Sequence, residues 1–178
     1  MKPRFVVTGG PGGGKTTLLT ALADRGYHVV PESARSIIKE RLAAGLPSRP
    51  DPVSFGRQVL YSDIKKYRET VVVDRATFFD RGVLDALYML DVEGALPESE
   101  IANYVQAFPY GDIVFLLPPW KEIYTTDVER DQSFEESIAV FEGMRKWYSQ
   151  WGYETIEVPR SSISERVSFV LQSIGKLQ

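Results

Sequence analysis

The sequence predicts an α/β fold in which helices cover both faces of a parallel sheet, and three observations carry that prediction. Short β-branched and aromatic runs alternate with helical patterns along the chain. The first such run, "RFVVT", passes through a glycine-rich turn directly into "KTTLLTALAD". Finally, "DIVFLLPP" is an apolar run with no polar alternation, the pattern of a strand buried on both faces.

The elements follow in order. Arg4–Thr8 reads as a buried strand, and Lys15–Asp24 as a helix with its apolar residues at Leu18, Leu19 and Leu22. A Gly turn at "RGY" leads to a second strand, Tyr27–Val30. Ser33–Ala44 is a helix stopped at Gly45, and "LPSRPDP" is a surface loop before a long helix from Val53 to about Thr70. The segment "TVVVDRATFFDRG" offers two apolar runs, either of which can be the third strand. Val83–Val92 and Glu98–Phe108 read as helices, the latter with Pro97 in its first turn. "DIVFLLPP" is the fourth strand, "FEESIAVFEGMRKWYSQWG" a helix closed by Gly152, and "YETIEVP" the last strand. "SISERVSFVLQSIGK" is a last helix, with a capping box at Ser162–Glu165. About five strands fit one domain, residues 1–178, with a lid over residues 120–135.

Composition narrows the function classes. With 178 residues, 43% apolar and 25% charged, the chain is long enough for one well-packed core. No apolar run approaches the roughly 20 residues that span a bilayer, and the N-terminal run is too short for a signal peptide, so a cytoplasmic location is expected. The formal net charge of −3 and the lack of a basic and aromatic stripe argue against nucleic acid. The absence of cysteine and the single histidine exclude disulfides, thiolate metal sites and multi-His metal sites.

The chemistry starts at "GGPGGGKTT". Gly9 and Gly14-Lys15-Thr16 satisfy G-x-x-x-x-G-K-[ST], with a strand before and a helix after. Gly9, Gly10, Pro11, Gly12, Gly13 and Gly14 let the main chain curl so that its N–H groups point at phosphate oxygens. The N-terminal end of the following helix adds positive potential. In this register Lys15 reaches the β- and γ-phosphates, the Thr16 hydroxyl ligates Mg²⁺, and Thr17 reaches the α-phosphate. The expectation is binding of ATP with Mg²⁺.

Further site residues should stand at the C-terminal ends of the strands. "VVVDR" offers Asp74–Arg75 and "TFFDRG" offers Asp80–Arg81; Gly82 favours the second, because it permits a sharp exit into the next helix. Asp80 there can organise metal-bound water or act as base toward a substrate hydroxyl, and Arg81 can hold phosphate or substrate. Glu32 falls at the edge of the second strand with Arg35 one turn on, both placed for substrate; helix capping by Glu32 and Ser33 is the bland alternative. "KEIYTTDVERDQSF" is polar and carries Arg130, the lid residue expected at the γ-phosphate, with Arg145 as a weaker second. Trp147, Tyr148 and Trp151 have helical spacing and read as core, Trp120 is as compatible with the site as with packing, and His28 is a plain strand residue.

The combination "VVTGGPGGGKTTLL", "YHVVPESAR", "FFDRG", "FLLPPWKEIYTTDVERDQSF" and "ETIEVPRSSISERVSFVL" resembles the small AAA-type predicted-ATPase family of bacterial P-loop proteins, over nearly the whole chain. That family in turn is similar to nucleoside and nucleotide kinases, including the nicotinamide riboside kinase domain and thymidylate kinase. The resemblance implies a sheet order of 2-3-1-4-5 in a P-loop NTPase of three α/β/α layers. It implies an Asp-Arg at the end of strand three, an acceptor near Glu32, Asp80 and Arg81, and adenine near Pro159–Ser161, with Arg160 beside it. The function expected is an ATP-dependent kinase that phosphorylates a small, nucleoside-like or other metabolite. The alternative is a slow ATPase switch that acts on a protein partner.

Overall fold

The computed structural model describes residues 4–71, 75–123 and 133–175. Five parallel strands lie in the order β2-β3-β1-β4-β5. They are β1 Arg4–Thr8, β2 His28–Val30, β3 Thr77–Asp80, β4 Ile113–Leu116 and β5 Glu154–Glu157. The helices are α1 Lys15–Asp24, α2 Ser33–Ala43, α3 Pro52–Glu69, α4 Val83–Val92, α5 Glu98–Ala107, α6 Phe134–Gln150 and α7 Ile163–Gly175, with a short 3₁₀ turn at Lys121–Ile123. β1, α1 and α4 have the bounds expected from the sequence, and the other elements differ by one to three residues at their ends. Pro97 caps α5 from outside, with extended backbone, rather than standing in the first turn.

The ambiguity over the third strand resolves in the sheet. Thr77–Asp80 lies between β1 and β2, with Phe78 beside Phe5 and Val29. Phe78 is fully buried and its ring stacks on Phe5 at 5.9 Å between centroids. The rival Asp74 lies outside the described residues.

The central strands are apolar on both faces because helices cover both. On one face Phe5, Val7, Phe78, Ile113 and Phe115 pack with Leu18, Leu19 and Leu22 of α1 and Val167, Val170 and Ile174 of α7. On the other, Val6, Phe79, Val114 and Leu116 pack with α3, α4 and α6. The period-two alternation of strand side chains divides one apolar run between two cores. Trp147 and Tyr148 belong to the second core, as their spacing suggests; the Trp147 indole N–H donates to the Leu84 carbonyl at 2.9 Å. This topology collects the loops after β1, β2, β3 and β4 along one edge of the sheet, where ligands of open α/β sheets bind.

Candidate active site

The loop from Gly9 to Gly14 is shaped by two constraints. Gly9, Gly12 and Gly14 have φ of 138°, 79° and 70°, the left-handed region that side chains resist. The loop also lies hard against its surroundings: a Cβ on Gly9 would collide with the Leu117 carbonyl oxygen. On Gly14 it would stand 2.7 Å from an Arg166 guanidinium nitrogen. Gly14 caps α1, and Thr16 and Thr17 are exposed in its first turn.

Gly10 to Thr17 line a cavity of about 590 Å³. Glu32, Arg35, Arg49 and Arg81 close one side of it; Trp120, Ile123, Ser161 and Arg166 close the other. Trp120 therefore faces the site. Arg160, expected beside it, donates from Nε to the Pro119 carbonyl at 3.1 Å and is not part of this lining. Arg145 pairs with Glu142 and, at 3.1 Å, with Glu157 on the surface, away from the cavity. Arg130 and most of the expected lid lie outside the described residues.

Four of the expected residues meet in one ionic network. Lys15 Nζ pairs with Asp80 and stands 3.8 Å from Glu32 Oε2. Arg81 Nε donates to Glu32 Oε1 at 3.0 Å. Glu32 thus spends its carboxylate on the network, and its side chain makes no capping bond to α2. Burial alone would raise the Glu32 pKa; the charges of Arg81, Lys15 and Arg35 outweigh it and hold the carboxyl at about 2. Burial likewise works against the Arg81 charge, but Glu32, Asp85 and Asp80 raise its pKa. Arg81 adopts φ 65°, the left-handed region that residues other than glycine rarely occupy, and so stands in a costly backbone conformation.

Three residues of the site went unread in the sequence. Asp85, on α4, is buried and takes hydrogen bonds from the Thr8 hydroxyl, the Gly82 N–H at 2.9 Å and the Tyr148 hydroxyl at 2.6 Å. It also pairs with Arg81 at 3.3 Å, so it holds Arg81 from below. Arg166, on α7, is buried and donates to the Gly13 carbonyl at 2.7 Å, tying the last helix to the glycine loop. Asp63, on α3, is buried in a second cavity of about 430 Å³, which shares Pro11, Glu32, Ala34, Arg49 and Arg81 with the first.

Comparison with known proteins follows the same lines. The model of the family described as AAA domain matches residues 4–166. Nucleotide-binding proteins of Cereibacter sphaeroides are 36% identical over 84 residues, covering 47% of this chain and 27% to 28% of theirs. The chain thus spans about a quarter of the length of these curated relatives. Among solved structures, deoxyadenosine kinase from M. mycoides with bound dATP has a TM-score of 0.55 at 13% identity, over 97% of this chain and 99% of that one. The same enzyme with dCMP and dCDP bound gives 0.57 at 15%, over 98% and 100%. These likenesses show the fold, a P-loop kinase-like α/β/α sandwich. Among the described residues no helix is long and apolar enough to cross a membrane.

Proposed function

Because the chain belongs to the AAA domain family and carries a P-loop in a kinase-like fold, we propose that it binds ATP and is an ATP-dependent kinase of a small metabolite. One observation carries this reading: the glycine-loop cavity adjoins a second and more apolar cavity, and Glu32 and Arg81 line both. A phosphotransferase needs such an acceptor chamber beside the γ-phosphate; a hydrolytic switch does not.

The residues fit Mg·ATP. The Thr16 hydroxyl and the Asp80 carboxylate are hard oxygen donors, suited to a Mg²⁺ that keeps waters and phosphate oxygens in its shell. Bound there, the metal would neutralise charge developing on the β- and γ-phosphates. The loop N–H groups and Lys15 would cradle the phosphates, which compete with Asp80 and Glu32 for the Lys15 ammonium. Arg81, fixed by Asp85, would stabilise the transferring group. The acceptor oxygen bonds to the γ-phosphorus as the bond to the bridging oxygen breaks, and ADP leaves with that electron pair. Glu32, held ionised and lining both cavities, accepts a hydrogen bond from the acceptor hydroxyl and orients it; being a weak base it leaves the proton to pass to the phosphoryl oxygens as the new P–O bond forms. Arg130 serves as the lid cation on the γ-phosphate, and Arg160 supports the base-side wall through the Pro119 carbonyl.

Glu32→Gln and Asp80→Ala test these roles. Each should lower kcat by about 10²–10³, with MgADP affinity of the Glu32→Gln protein within threefold of the parent. Full turnover in either folded variant refutes the role given to that residue.

A further inference from the structure

The second cavity contains polar groups that the phosphate chemistry does not use. Its walls are Phe55, Tyr88, Met89, Val140 and Met144, an apolar chamber with two aromatic rings. Into it face Asp63, 8% exposed, and Ser33, 1% exposed. The Ser33 hydroxyl is buried and meets no partner in hydrogen-bond geometry. No basic group ties down the Asp63 carboxyl among the described residues; Ser33 is its polar neighbour. Asp85, lining the same chamber, is by contrast saturated by Thr8, Arg81, Gly82 and Tyr148. A buried hydroxyl without a partner in hydrogen-bond geometry is rare, and with the Asp63 carboxyl beside it on the chamber wall it leaves polar capacity that an occupant can use.

We infer that Ser33 and Asp63 form the recognition end of the acceptor chamber, and that they select an uncharged, nucleoside-sized acceptor whose flat ring carries an amino group. This rests on the kinase reading above. The aromatic walls suit a flat ring. A carboxyl and a hydroxyl together accept N–H donors. Asp85 and Glu93 line the same chamber and disfavour an anionic occupant. A full cation is not called for, because burial first, then Asp85 and Glu32, raise the Asp63 pKa to about 7, against the pull of Ser33 and Lys66. The acceptor hydroxyl then points to the other end, where Glu32 and Arg81 face the phosphates.

Two pairs of ribosides differ by the amino group alone: adenosine against purine riboside, and cytidine against pyrimidin-2-one riboside. Calorimetric titration of the whole chain with MgADP present should show at least one amino-bearing riboside binding about 10-fold or more tighter than its partner. Asp63→Leu should erase that gap with MgADP affinity unchanged. Equal binding within both pairs, no binding by any of the four, or a gap that survives Asp63→Leu overturns the proposal. Should Asp63→Leu fail to fold, Ser33→Ala should narrow the gap severalfold, and an unchanged gap there overturns it equally. A riboside that binds with this preference but never accepts phosphate leaves the recognition standing and removes the kinase reading. Phosphate moving only to metabolites without a ring amino group sinks the recognition and keeps the kinase.

Discussion

Asp85 is where the fold and the site are joined, and Asp85→Ala should show it. The substitution removes one carboxylate and strands four groups: the Thr8 hydroxyl, the Gly82 N–H, the Tyr148 hydroxyl and the Arg81 guanidinium. Each hydrogen bond to a charged acceptor contributes about 1.5–3 kcal/mol, so four would sum to as much as about 12 kcal/mol if they were independent. They are not, because they share one acceptor and water can enter the space left behind. Breaking a buried charge pair by removing one partner costs about 3–5 kcal/mol, and that is the destabilisation expected here. Native domains have about 5–15 kcal/mol in all, so the variant should fold but melt early. Tyr148→Phe removes only one partner and should cost about 1–2 kcal/mol. Urea unfolding of the three proteins measures both values. A loss below about 1 kcal/mol for Asp85→Ala would mean that Arg81 and the α4 N-terminus are held by something else, and the support assigned to Asp85 would be wrong.

The remaining predictions concern Arg166 and Asp63. Arg166→Ala frees the Gly13 carbonyl from α7 and should weaken MgADP binding by about 10-fold, since the loop must then be ordered by the nucleotide itself; unchanged affinity in a titration would show that the loop holds its shape alone. Asp63 binds its proton more tightly in the folded chain than in the unfolded one, with a pKa of about 7 against 3.8. Its titration therefore adds no cost below pH 4, and stability is lost as pH rises toward 7, by up to about 4 kcal/mol. Asp63→Asn should match the parent in urea unfolding at pH 4 and exceed it at pH 8, and a parallel pH dependence of the two proteins would contradict this.

The parts of the site carried by local pattern were legible in the sequence. Gly9 to Thr17 announce a phosphate loop because the motif and its strand and helix context occupy consecutive residues. Asp80–Arg81 was preferred over Asp74–Arg75 on the strength of Gly82 alone, and β3 ends at Asp80. The sheet order came through family resemblance, since strand pairing is a long-range choice that apolar periodicity leaves open. Asp63, Asp85 and Arg166 were missed, although each left a trace. Asp63 continues the buried stripe of Phe55 and Val59 at i+4 spacing, Asp85 interrupts the apolar run "VLDALYML", and Arg166 adjoins the stripe of Val167, Val170 and Ile174. A charged residue on an apolar stripe signals a buried ionic group. What it cannot give is the partner, because Thr8 and Tyr148 reach Asp85 from 77 and 63 residues away. Likewise the second cavity is assembled from α2, α3, α4 and α6 and exists only once they pack.

The central claim is that the two adjoining cavities serve transfer of a phosphate from ATP to a metabolite. Its most direct test is the fate of the label when the protein is incubated with Mg²⁺, γ-labelled ATP and a pool of nucleosides, nucleotides and other small metabolites. The account predicts stoichiometric label on a metabolite, lost in Asp80→Ala. Label released only as free phosphate, slowly and at a rate no pool alters, would contradict it and favour a nucleotide switch that acts on a protein partner.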